Sequence, residues 1–121
     1  MKVSDLQGPL LDYWVARVAQ LPKPRVDDGF CWIEEPACDG DPASALEAAY
    51  APSTDWTHGG PIIEREHICI GYTEQNQWGA CGTTQAPRFD SLGATPLIAA
   101  MRFYVSRQYG EQVPDEDGQT A

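Results

Sequence analysis

Four cysteines and two histidines are the residues in this chain whose types can hold a metal or act as nucleophile and base. Six, thirty and eleven residues separate Cys31, Cys38, Cys69 and Cys81 in turn. No pair has the Cys-x-x-Cys spacing with which a structural zinc site grips its ion. Cys31, Cys69 and Cys81 fall on expected strands, so they can meet one another and His67 only through the fold. Small core or surface thiols are the simpler expectation for such residues. Cys38 falls in a loop and is reactive only where something stabilises its thiolate. His58, beside two glycines, is expected to be exposed, and His67 to begin a strand. No metal, cofactor or catalytic residue is assigned on these grounds. The competing reading is a small metal- or thiol-dependent enzyme built on the same cysteines and histidines.

The stretch WTHGGPIIEREH, residues 56–67, carries the other candidates. Gly59 and Gly60 ahead of a helix can offer free backbone N–H groups to an anion. A phosphate loop of the GxxxxGK[ST] kind needs a nearby lysine, and the lysines here are Lys2 and Lys23. The simpler reading is a turn at Gly59-Gly60, with Pro61 opening a short helix to about Glu66 and Ile62 and Ile63 entering the core. Glu64 and Glu66, two residues apart, do not share a helix face and make a poor acid–base pair. Glu64 with Arg65, or Glu66 with a distant base such as Arg102, reads as a surface ion pair. Trp14 and Trp32 suit buried packing, whereas Trp56 and Trp78 can anchor a partner. For Trp56, flanked by Asp55 and Thr57, core and interface both fit. Asp55, Trp56, Glu64 and Arg65 together form the candidate partner-binding surface.

The elements that must position these residues follow from periodicity. Leu11, Trp14, Val18 and Leu21 repeat at helical spacing, so Gln7 to Leu21 reads as a helix with Asp12, Arg17 and Gln20 facing away. LPKP at 21–24 stops it. Asp28-Gly29 is a turn signal, and Phe30 to Glu34 a short strand. Residues 36–50 read as a variable loop insertion, with at most a helical turn or two over 43–49. Ser53 can cap a single turn at 54–57. His67 to Tyr72 and Gln77 to Thr83 read as a hairpin turning at Glu74-Gln75-Asn76. Residues 85–94 read as a loop. Thr95 caps and Pro96 opens a final helix whose Leu97, Ile98, Met101, Tyr104 and Val105 form an apolar stripe, ended by Gly110. The expected fold is α+β in two layers. A small three-stranded antiparallel sheet packs against N- and C-terminal helices in one domain, residues 1–110, followed by a disordered acidic tail, 111–121.

Length and charge limit the function. One domain of 121 residues, 42% hydrophobic, is large enough for its own core. Eighteen acids against eight bases give a formal charge of −10. Such a chain repels phosphate backbones and acidic lipid, so direct nucleic-acid binding is not expected. A basic or host protein fits the sign. The start, MKVSDLQGPLLDYW, places Asp5 and Asp12 where a signal peptide needs an apolar run, and no stretch is apolar enough for a membrane span. A cytoplasmic location, with reduced thiols, is the expectation.

Three blocks, MKVSDLQG…LDYWVARV, YAPSTDWTHGGPIIERE and GATPLIAAMRFYVSRQYGEQVP, resemble the NinX family of small lambdoid-phage and prophage proteins. They cover well over half the chain in the family's order. The resemblance implies a phage or prophage accessory protein made in the bacterial cytoplasm, and it carries no catalytic residues with it. The strand-strand-helix ending is also similar to HicB-like antitoxins. The helix–three-strand–helix order is similar to a double-stranded-RNA-binding domain, whose basic helix is missing here: the last helix holds only Arg102 and Arg107. The leading expectation is an accessory protein that binds a protein, ahead of the metal or thiol enzyme and of an antitoxin-like binding module.

Overall fold

The computed structural model of the protein describes residues 1–35, 46–74, 76–82 and 90–114. Its elements are α1 (Gly8–Val18), β1 (Arg25–Asp27), β2 (Phe30–Glu35), β3 (Leu46–Ala49), α2 (Trp56–Arg65), β4 (Ile68–Tyr72), β5 (Trp78–Gly82), β6 (Ser91–Gly93) and α3 (Pro96–Tyr109). The class is α+β, as expected. The single expected sheet is instead two antiparallel three-stranded sheets, ordered β1-β2-β3 and β4-β5-β6.

α3 is the element around which the rest assembles. Thr95 Oγ1 accepts the Ile98 N–H at 3.1 Å, Pro96 needs no partner in the first turn, and Gly110 leaves the helix at φ +83°. Leu97, Met101, Tyr104 and Val105 are buried as the stripe predicts, but so are Ala99, Ala100 and Phe103. The helix is wrapped on several sides, because β4, β5 and β6 pack against it along with α1 and α2. At Gly93 a Cβ would stand 2.7 Å from both Ala99 N and Ile98 Cγ2, so β6 meets the start of α3 through bare backbone.

α1 lies between the first sheet and α3, touching both. It ends at Val18, three residues before the expected stop. Gln20 takes a left-handed φ of +59°, its N–H donates to Arg17 O, and the Leu21 N–H donates to Ala16 O at 3.0 Å. This is a Schellman closure without its usual glycine. Trp14 is fully buried and meets Tyr109 of α3 edge-on, ring centroids 5.3 Å apart. Asp12, expected to face solvent, is buried with it at 4% exposure.

In the first sheet, Asp28 (φ +54°) and Gly29 (φ +80°) make the two-residue turn that pairs Asp27 with Phe30. Leu46–Ala49 is a strand facing Glu35–Trp32, where the expected insertion had helical turns. Residues 36–45 of that insertion, Cys38 among them, lie outside the described residues. In the second sheet, Tyr72 faces Trp78 and Cys69 faces Cys81 across the expected hairpin.

The segment 56–67 departs most from expectation. Trp56–Arg65 is one helix, with Gly59, Gly60 and Pro61 inside it. Asp55, not Ser53, is its cap, accepting the Thr57 N–H at 2.9 Å. Gly59 is there because the helix crosses the chain at Pro52: a Cβ would collide with the Pro52 carbonyl oxygen and stand 2.7 Å from Leu97 Cδ2. Residues 111–113 of the expected tail are held against the N-terminal segment, and residues 115–121 lie outside the described residues. Val3 N–H donates to Glu111 O at 2.9 Å, Val113 N–H donates to Met1 O at 3.0 Å, and Val113 is buried.

Candidate functional site

The polar residues nearest to chemistry collect behind and beside α2. Asp12 accepts the backbone N–H of Ser53 on Oδ1 at 2.8 Å. The buried Ser53 hydroxyl lies beside the same carboxylate but outside hydrogen-bond geometry, and has no other partner. Burial pushes the Asp12 carboxyl up to about 6, against the Ser53 contacts and the nearby His58, which favour the anion. Burial, with the field of Asp12, drives the Cys31 thiol up to about 12. Serine, histidine and aspartate are thus neighbours without forming a triad. His58 Nδ1 is occupied as acceptor of the Ala51 N–H at 3.0 Å, and the Ser53 hydroxyl is sealed from solvent.

A cavity of about 450 Å³ opens in front of this cluster, between the end of α1, the β2–β3 ladder, α2 and α3. Tyr50, His58, Arg65 and Tyr104 line it with Ile33 and Ile62. The Tyr50 and His58 rings lie 5.2 Å apart, tilted by 35°. Arg65 donates from Nη2 to the Tyr104 hydroxyl at 3.3 Å and from Nε to Glu66 at 2.9 Å. Burial raises the Tyr50 phenol to about 12, so it stays protonated.

The candidate surface splits across α2. At 100° per residue, Trp56 and Glu64 lie roughly 80° apart around the helix, whereas Trp56 and Arg65 lie about 180° apart. Trp56 is 55% exposed and heads the outer face; Arg65 turns to the cavity with His58 and Ile62. Asp55 is exposed but engaged as the helix cap. The anion turn at Gly59-Gly60 does not form: both residues are helical, and the Gly59 N–H already donates to Asp55 O at 2.9 Å. Glu66 pairs with Arg65 and, at 3.5 Å, with Arg107; Arg102 instead donates to the carbonyls of Leu6 and Leu92. Sequence reasoning missed Asp12 and Tyr50 as site residues. Only the placement of an acid between Leu11 and Tyr13 signals the first.

The three cysteines among the described residues do not converge. Cys69 and Cys81 face each other in the second sheet, Cys31 is buried in the first, and His67 is exposed at φ +54° after α2. Among the described residues no three His, Cys, Asp or Glu side chains are placed to share a metal. Burial and the Cys69 neighbour also raise the Cys81 thiol. Iodoacetamide labelling of the native protein, read by peptide mass spectrometry, is therefore expected to modify Cys69 well before Cys81 and Cys31. With its thiol pushed up to about 12, Cys31 holds roughly a thousandfold less thiolate than a free cysteine. Equal rates for the three would show that the interior is open.

Among the described residues no helix is long and apolar enough to cross a membrane. A comparison with curated protein sequences finds no match. The family described as Bacteriophage P22, NinX matches residues 2–108, which take in every helix but the last residue of α3, both sheets and the cavity; the chain belongs to that family.

Proposed function

We propose that this NinX-family protein is a non-enzymatic phage accessory protein that works in the bacterial cytoplasm by binding another protein, through the outer face of α2 headed by Trp56. The observation that carries the reading is Trp56 itself. A tryptophan 55% exposed on a capped helix offers a large rigid apolar anchor, the residue type that dominates interface energetics. Asp55 and Glu64 flank it with negative charge, and the chain's −10 favours a basic partner. Arg65 is reassigned to the cavity side and leaves the proposed surface.

Thiol chemistry is the weaker alternative, because Cys31 and Cys81 are both held away from the thiolate form. The antitoxin-like reading has less support too, since β6 intervenes between the β4–β5 hairpin and α3.

The test is an affinity pull-down from bacterial lysate with wild-type and Trp56→Ala proteins, at low and moderate salt, beside a thermal melt of each. A stoichiometric partner is expected, weakened about tenfold or more by the substitution with an unchanged melting temperature. Higher salt should weaken it further where charge contributes. A partner held equally well by Trp56→Ala would sink the Trp56 surface, and a recovered complex that catalyses turnover of its partner would sink the non-enzymatic reading.

A further inference from the structure

We infer that the cavity between α2, α3 and the β2–β3 ladder is a separate binding site for a single carboxylate carried on a short apolar body. The inference comes from the hydrogen-bonding groups left over in its lining. His58 Nδ1 accepts the Ala51 N–H, so the proton of the neutral ring sits on Nε2, which has no partner among the described residues. The Tyr50 hydroxyl likewise has none. The Tyr104 hydroxyl receives Arg65 Nη2 and still has its own proton to give. Arg65 uses Nε and Nη2 on its neighbours and keeps further N–H groups.

Acceptors are the opposite case. Glu66, the carboxylate lining the cavity among the described residues, is paired with Arg65 and Arg107. Asp12, behind the wall, is 4% exposed and holds the Ser53 N–H. Four donors therefore line a space whose neighbouring carboxylates are already engaged. A ligand that completes them must bring oxygen acceptors, and a guanidinium with N–H groups to spare favours a planar carboxylate.

Charge sets the number of carboxylates. Arg65 is one cation, partly neutralised by Glu66, in a chain of net charge −10. A phosphate dianion would meet too little compensation there. The remaining wall is apolar, with Val18, Leu21, Ile33 and Ile62, and suits a few carbons of aliphatic or aromatic body. Two sources share this chemistry: a free organic acid, and the C-terminal carboxylate of a protein ending in an apolar residue.

The experiment titrates isotope-labelled full-length protein with hexanoate, hexanamide, inorganic phosphate, and a short leucine-ended peptide with a free or amidated C-terminus. The readouts are the NMR signals of the His58 ring and the Ile62 methyls. Saturable shifts with hexanoate are expected, about tenfold weaker with hexanamide, because the charge-assisted contacts are lost. Tyr50→Phe and Arg65→Gln should each weaken hexanoate severalfold, and Trp56→Ala, on the opposite face of α2, should leave it unchanged. Tighter binding of the free-acid peptide than of hexanoate assigns a protein C-terminus as the source, and the reverse order assigns a free acid. Hexanamide binding as well as hexanoate, phosphate binding more tightly than either, or no saturable shift at these residues with any probe overturns the inference. The Trp56→Ala arm keeps this outcome separate from that of the partner-binding proposal.

Discussion

Alanine at Gly59 is expected to destabilise the fold by about 3 kcal/mol, while alanine at the adjacent Gly60 changes stability by less than about 1 kcal/mol. The two substitutions are chemically identical and sit at consecutive positions of one helix, so propensity alone assigns them the same sign. Their surroundings differ. At Gly59 the new methyl meets the Pro52 carbonyl oxygen and Leu97 Cδ2 at 2.7 Å. The first is backbone and cannot swing away without moving the turn that places Ser53 over Asp12. At Gly60 the nearest atom beyond the chain neighbours is Trp56 Cε3 at 3.8 Å, an ordinary contact, and the gain in helix propensity is offset by the Pro61 ring, which crowds a Cβ on the residue before it. Urea unfolding of the two variants beside wild type decides the matter. Equal effects would mean that α2 does not cross the chain at Pro52.

The second large effect belongs to Asp12 and depends on pH. Its carboxyl sits at about 6 in the folded protein against 3.8 for an ordinary solvated aspartate. Over that interval the folded chain binds a proton that the unfolded chain has released. Stability from this group is therefore full below pH 4, falls as pH rises, and is lost above about 6, a difference on the order of 3 kcal/mol. Asp12→Asn keeps an acceptor for the Ser53 N–H and removes the titration. Its stability relative to wild type is expected to climb from pH 4 to 6.5 and then level off. Asp12→Ala differs: it strips the Ser53 N–H of its acceptor and should cost about 1–3 kcal/mol at pH 4.5, where the wild-type acid is mostly neutral. Unfolding free energies of the three proteins across pH 4–8 give the curves. A flat difference between wild type and Asp12→Asn would show that the carboxyl is solvated.

The ends of the elements explain how much was legible in the sequence. α3 was readable because its signals are local: Thr95 and Pro96 at one end, Gly110 at the other. The β4–β5 hairpin was readable for the same reason. β1, β3 and β6 were not, being three or four residues long and built from residues such as those of LEAA and SLG. Their extended form is imposed by a neighbouring strand, which no local pattern records. The misreading of α2 has a single cause. Glycine and proline punctuate chains more often than they sit inside helices, yet here Gly59 answers to Pro52 and Leu97, contacts remote in sequence or hidden by the fold. The cavity was invisible on the same principle. Tyr50 and Tyr104 stand far apart in the chain, and His58 and Asp12 looked solvent-facing because their burial depends on packing between elements.

The clasp between Met1–Val3 and Glu111–Val113 has a consequence for the order in which the molecule is made. Its hydrogen bonds join residues of one segment to partners that leave the ribosome more than a hundred positions later. Until Glu111 clears the exit tunnel, the Val3 N–H has no backbone acceptor in that ladder, whatever α1 and the first sheet have already done. Closing so long a loop is entropically cheap once α1 and α3 are docked and costly before then. Synthesis and thermodynamics thus assign the same rank to this contact. It forms at the end, as a latch on a body already assembled.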